Sequence, residues 1–288
     1  MPKKVISYLL LAAFLLGVNF TCAALSNETQ QGKIVVLTTT TILADFTSQI
    51  GKDKLKVVSI IPPGVCPAHY DLKPSDVDAA LKAKVIFYHG FEPWLEKLVK
   101  STGAPKKKMV VLKGGWHPFP KAIELVEKIQ KELSRIDPEN ASYYEKNTDK
   151  IVQSIKETAE KIKQQAEKLN ISKYKVICML WQKAFVKWVG LNVVGSFPPP
   201  ERISLKKAQE LIDLGKRKKV KLIIDNLQSG TNFGYNLAQD IGAKQVILTN
   251  FPGAVPETGT YEKMIMYNAD ELFTAIKKIE GKNEDEVH

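Results

Sequence analysis

After Asp137-Pro138, residues 139–169 place Ile151, Ile155, Thr158/Ala159, Ile162, Ala166 and Leu169 along one face at helical spacing. A helix of that length spans on the order of 45 Å. It is too long for the interior of one compact domain, and it fits a rigid spine joining two lobes. The competing reading is a coiled coil; a single such segment without a strict heptad argues against it.

The flanks support two lobes. On the N-terminal side, 33–38, 55–61, 85–88 and 110–112 read as strands. Between and after them, 41–50, 74–81, 93–100 and 121–136 read as helices, with Ser75 and Asp76 placed to cap the second. On the C-terminal side, 175–180, 192–195, 220–224 and 245–248 are strand-like. There 183–189 is a helix or turn, and 205–218 (behind Ser204), 231–241 and 268–279 are helices. Strands alternating with helices give parallel sheets. The expected architecture is α/β: two parallel-sheet lobes, 25–137 and 171–288, a connecting helix over 138–170, and a ligand cleft between the lobes. A chain of 288 residues supplies ample core for this. Disorder is expected only at 26–32 and 281–288.

The first 24 residues read as a signal peptide: Lys3 and Lys4, a short apolar run over 5–18, then Cys22-Ala23-Ala24. The run is short for a membrane anchor. Lipidation at Cys22 stays open, with Asn19 standing where a lipobox has an aliphatic residue. The chain is thus expected outside the cytoplasm, in the periplasm or at the cell surface, free or tethered. The net charge of +11 raises the question of nucleic acid. The lysines alternate with glutamates along helices, as in Lys156-Glu157 and Glu160-Lys161, and no basic strand carries stacking aromatics, so nucleic acid is not an expected partner.

Candidate binding residues lie at strand ends and loops. His69 sits in the proline-stiffened loop Pro62-Pro63-Gly64-Val65-Cys66-Pro67-Ala68-His69, directly after an apolar strand, where α/β folds place ligands. His89 ends another strand and His117 follows Gly114-Gly115-Trp116; His288 is terminal and solvated. Asp225 closes the strand 222–224. Each histidine has an ordinary alternative as a hydrogen-bonded loop residue, and Trp94, Trp116 and Trp181 are either cleft walls or core. Cys66 is a candidate soft ligand, while Cys178 reads as a buried small hydrophobe, with a Cys66–Cys178 disulfide as the lesser alternative. Glu257, in the loop 253–260, either closes over the site or is simply exposed.

Several segments, in order, resemble the zinc- and manganese-binding extracytoplasmic solute receptors of ABC importers. They are Val35-Val36-Leu37-Thr38-Thr39 with Ile42-Leu43-Ala44-Asp45, Pro62-Pro63-Gly64, Tyr70-Asp71, Pro74-Ser75-Asp76, Tyr88-His89-Gly90-Phe91-Glu92-Pro93-Trp94 and Ile136-Asp137-Pro138-Glu139-Asn140. The resemblance runs from about Lys33 to Ile279. It implies a metal held between the lobes by four side chains, two imidazoles with carboxylates or a further imidazole, a donor set that suits Zn²⁺ or Mn²⁺. Where the family has Asp-Pro-His-x-Tyr-Glu, this chain has Cys66-Pro67-Ala68-His69-Tyr70-Asp71, which moves the imidazole to His69. His117 stands near the second histidine, Gln182 at the third ligand and Asn250 at the late carboxylate. A shell of His69, His117, Gln182 and Asn250 carries no negative charge, and burying a divalent cation without one costs several kcal/mol. Asp225 is the preferred extra carboxylate and His89 a third imidazole.

The resemblance therefore implies a monomeric receptor that captures a divalent transition metal, Zn²⁺ or Mn²⁺, for a membrane permease and its ATPase. The first alternative is the same fold with changed cargo, a metal chelate or small organic molecule suited to amides and tryptophans. The second is an exported metal-dependent hydrolase. No His-Glu-x-x-His, Gly-x-Ser-x-Gly or phosphate-cradling loop supports it, so no enzymatic activity is expected.

Overall fold

The computed structural model describes residues 33–103 and 109–285. The expected signal peptide, Cys22 and the expected disorder at 26–32 lie outside the described residues. The first sheet contains β1 (Ile34–Thr38), β2 (Leu55–Ser59), β3 (Val85–Tyr88) and β4 (Met109–Val111), all parallel, in the order β2-β1-β3-β4. The second contains β5 (Lys175–Met179), β6 (Asn192–Phe197), β7 (Leu222–Asn226) and β8 (Lys244–Leu248), also parallel, in the matching order β6-β5-β7-β8. In both, the chain leaves a central strand to one side and returns on the other. The crevice between β1 and β3, and that between β5 and β7, are therefore switch points, where open α/β sheets bind ligands.

Strand alternation divides the core. Val36, Val85, Phe87, Val176, Cys178, Leu222 and Ile224 face one continuous interior shared by both sheets. Leu37 and Ile86 face a separate cluster behind the first sheet, and Ile177 and Ile223 one behind the second. The helices α1 (Thr41–Gly51), α2 (Pro74–Lys82), α3 (Leu95–Thr102) and α4 (Phe119–Ile136) belong to the first half. The spine, α5 (Ala141–Lys168), follows a single helical turn at Pro138–Asn140, where the proline cannot continue α4. It buries Tyr144, Ile151, Ile155, Ile162 and Ala166 in the shared interior, so it is a packed element of both lobes rather than an exposed strut.

The second half adds α6 (Lys183–Val189), α7 (Leu205–Lys218), α8 (Asn232–Ile241) and α9 (Tyr261–Asp285). α7 is capped by the Ser204 hydroxyl, which accepts from the Lys207 amide at 3.2 Å. The last helix is longer than the expected 268–279 and runs into the stretch expected to be disordered from 281. Its buried stripe starts at Tyr261 and passes Met264, Ile265, Asn268, Leu272 and Ile276. Asn268 interrupts that stripe in the sequence, yet it is fully buried, with its amide bonded to both the nitrogen and the carbonyl of Thr249. Cys66 and Cys178 are free thiols, and burial pushes the Cys178 thiol up to about 12.

Candidate functional site

At the first switch point the β1 and β3 ends carry Thr39, Thr40 and His89. The Glu92 carboxylate folds back on the turn after β3: its oxygens accept from the amides of His89, Gly90 and Phe91 at 2.8–2.9 Å and from the Thr39 hydroxyl at 2.5 Å. Three consecutive amides can converge this way because Gly90 adopts φ +97°. His89 is buried, its Nε2 lies 2.9 Å from the Thr40 hydroxyl, and its ring stacks on Phe91 at 4.9 Å. Burial lowers its pKa to about 4, against the opposing pull of the Glu92 charge and the Leu112 backbone. His89 lies off the cavity wall: the Thr40 hydroxyl is on Nε2 and Phe91 stacks on the ring, while Nδ1 has no hydrogen-bond partner.

The second switch point carries amides instead. Gln182, fully buried after β5, donates through Nε2 to the Asn226 and Asn250 side-chain oxygens, each at 3.0 Å. Asn226 passes the chain on to the Ser229 hydroxyl at 2.8 Å. Gln228 holds the neighbouring segment, accepting from the Asn250 amide at 3.1 Å and donating to Thr249 Oγ1 at 2.9 Å. The Gln182 Oε1 has no hydrogen-bond partner.

Asp225 is not part of this cluster. It shares the parity of Ile223, so it points behind the sheet, where Gln245 Nε2 donates to it at 2.6 Å. α8 lies so close that a Cβ on Gly234 would fall 1.8 Å from the carboxylate. Burial raises the Asp225 pKa to about 6, with the Gln245 bond opposing. The expectation that Asp225 supplies the missing negative charge is corrected. Asn226, one residue on, is the side chain that reaches the cleft.

Between the switch points lies a cavity of about 510 Å³. The first half contributes Cys66, Pro67, Ala68, Phe91, Trp116 and His117; the second contributes Trp181, Ala184, Asn226, Gln228, Ser229, Asn250 and Phe251. Phe91 and Trp181, about half exposed, stand on opposite lobes at its rim. Among the described residues, no aspartate, glutamate, lysine or arginine lines it. His117 is the one imidazole on its wall, ringed by Trp116, Phe185 and Tyr261. Neither of its ring nitrogens, both sealed from solvent, has a hydrogen-bond partner, and burial lowers its pKa to about 3.

His69 is placed elsewhere. A single turn over Pro67–His69, pinned by the Trp94 indole donating to the Pro67 carbonyl at 2.9 Å, puts Ala68 on the cavity wall. His69 faces out with its side chain 64 % exposed, 3.9 Å from Glu201. Of the residues proposed from sequence, the structure brings together His117 and Asn250 on the cavity wall, with Gln182 behind them. It separates His69, His89 and Asp225 from them. Among the described residues no three His, Cys, Asp or Glu side chains group closely enough to hold a metal ion. Glu257 lies on an exposed turn at φ +66°.

Hydrogen bonds tie the lobes around the cavity. Trp116 Nε1 donates to the Asn250 carbonyl at 3.0 Å, and the Tyr261 hydroxyl to the Trp116 carbonyl at 2.8 Å. Gln228 Nε2 donates to the Pro63 carbonyl, and the Thr41 hydroxyl to that of Pro252, both at 2.8 Å.

The family of periplasmic components A of zinc-uptake complexes matches residues 36–275, and the chain belongs to it. It is 33% identical over 171 residues to the metal ABC transporter substrate-binding lipoprotein FimA of Streptococcus parasanguinis, covering 50% of this chain and 55% of that protein. It is 32% identical over 172 residues to the manganese ABC transporter substrate-binding lipoprotein PsaA of Streptococcus pneumoniae, covering 50% and 56%. The chain spans about half the length of the curated relatives it matches. Its fold is that of a Mn-bound periplasmic metal binding protein from Candidatus Liberibacter asiaticus (TM-score 0.70, 20% identity, 85% of this chain and 100% of that one). It is equally that of a crystal structure of ZnuA (TM-score 0.65, 20% identity, 86% and 98%).

Proposed function

We propose that this member of the family is the solute-capturing component of an ABC importer: it takes up a divalent transition metal, Zn²⁺ or Mn²⁺, outside the cytoplasm and delivers it to the membrane permease and its ATPase. The observation that carries the reading is the cavity at the facing switch points with the unpartnered imidazole of His117 on its wall. Buried polar atoms are ordinarily paired, and a neutral imidazole with a free lone pair is a metal donor. The relatives named as manganese and metal receptors support the choice of cargo. The run 5–18 and Cys22 support export, with cleavage or a lipid tether keeping the protein outside.

Among the described lining residues a hydrolase would find no carboxylate to serve as general base. Both Glu92 oxygens accept backbone amides, and Asp225 faces the other way. The changed-cargo reading has a specific observation in its favour, the absence of acidic or basic side chains from the described lining.

The test is a thermal-shift titration of chelator-stripped protein with metal salts and metal complexes. A ligand that binds only the folded state, at 100 times its dissociation constant, adds about 2.7 kcal/mol. A rise in melting temperature with zinc or manganese in either form, lost in His117→Ala, supports the reading. No rise with any metal-containing ligand rejects it.

A further inference from the structure

We infer that the cavity takes its metal as a neutral chelate, a divalent transition ion whose charge is already cancelled by anionic organic ligands, rather than as a bare ion. This rests on the reading of the chain as a metal receptor and specifies what that receptor holds.

Three observations converge. The first is charge. The described lining holds no carboxylate, and the two acids nearest in sequence to the switch points are spent elsewhere, Glu92 on three amides and Asp225 behind the sheet. A bare divalent cation placed here would be desolvated with no counter-charge, whereas a neutral complex brings its own. The second is size. About 510 Å³ lies within the roughly 300–1,000 Å³ of small-molecule pockets, far beyond what one ion requires. The third is chemistry. Trp116, Phe91, Trp181 and Phe251 offer flat apolar faces to an organic body. Asn250 and Ser229 offer uncharged hydrogen-bonding groups suited to a chelator's carboxylate or amine atoms, with Asn226 bonded to Ser229 behind them. His117 contributes a single imidazole to the wall, its two nitrogens buried and without partners. The Gln182 amide, behind the wall, fixes Asn226 and Asn250 through its two 3.0 Å bonds and is a positioning residue.

The experiment is calorimetric titration of the full, chelator-stripped chain with four probes: ZnCl₂, MnCl₂, zinc with two equivalents of L-histidine (a neutral bis-histidinate complex), and L-histidine alone. The expected result is binding of the complex at least tenfold tighter than either bare ion, with no heat from histidine alone. Bare Zn²⁺ or Mn²⁺ binding as tightly as the complex overturns this inference and leaves the metal-receptor reading standing. Histidine alone binding as tightly as its zinc complex overturns both. Silence from all four also overturns both.

Two variants sharpen the result. His117→Ala is expected to weaken the complex at least tenfold while retaining the parent's far-ultraviolet circular dichroism. Gln182→Glu combined with Asn250→Asp introduces carboxylates and is expected to reverse the preference towards bare Zn²⁺. A double variant that is folded and still prefers the neutral complex tenfold would falsify the charge argument.

Discussion

The two lobes share one strand order and end it in opposite chemistry. In the first, the switch point is closed by an ionised-type side chain: Glu92 is wrapped by three amides and a hydroxyl, and His89 is locked to Thr40. In the second, it is closed by neutral amides, Gln182 joined to Asn226 and Asn250. The first arrangement uses its charge to shape a loop and leaves none for cargo. The second carries no charge at all. The shared topology fixes where a ligand sits, and the residues that end the strands decide what it can be.

The comparison is easiest to break at Glu92. Glu92→Ala leaves three amides, that of His89 buried and those of Gly90 and Phe91 partly so, and a buried hydroxyl without an acceptor and is expected to cost about 3–5 kcal/mol in denaturant unfolding. A loss below about 1 kcal/mol would mean that the charge does not organise the first lobe. Gln182→Leu in the second lobe removes two neutral bonds and is expected to cost about 1–3 kcal/mol, with weakened cargo binding in the same preparation.

A smaller effect concerns Asp45, which accepts from the Tyr261 amide at 2.7 Å and so joins α1 to the start of α9. Burial raises its pKa from 3.8 to about 7, with the Tyr261 and Gln49 bonds opposing and Glu262 adding to the rise. With the folded value above the unfolded one, the protonated carboxyl favours folding. That contribution is whole below about pH 4 and is lost as pH rises through 7. Asp45→Asn keeps an acceptor and does not titrate. Its stability relative to the parent should therefore rise across that window, by at most about 1.4 kcal/mol per pH unit, as read from unfolding midpoints at a series of pH values. A constant difference would remove Asp45 as the source. The smallest effect is expected at His69: with its side chain exposed and its ring 3.9 Å from the exposed Glu201, His69→Ala should change stability by less than about 0.5 kcal/mol and leave cargo affinity within twofold. A tenfold loss of affinity would return His69 to the site.

Much of this architecture was legible in the sequence. The spine and both sheets follow from element order, from the 3.6-residue period of the helices and from short apolar runs at the strands, and family membership agrees with them. The site was legible only in part. His117, Gln182 and Asn250 were singled out by the register of the family resemblance, and the structure puts His117 and Asn250 on the cavity wall with Gln182 behind them. Asp225 was misassigned because its sequence position shows a strand end but not which face it takes. Parity carries that signal: with Leu222 and Ile224 towards the shared interior, Asn226 follows them and Asp225 cannot. His69 was misplaced by one residue, since the turn at Pro67–His69 turns Ala68 inwards. Glu92 was missed as an organiser, because its three amide bonds depend on the backbone shape at Gly90.

The bond from Asp45 to Tyr261 spans 216 residues of chain, and Tyr261 also lies 5.1 Å from Phe46, ring to ring. The first lobe is thus completed by a helix from the far end of the described residues, so neither half of the chain contains all of its own wall, and the chamber is finished only when α9 docks against α1.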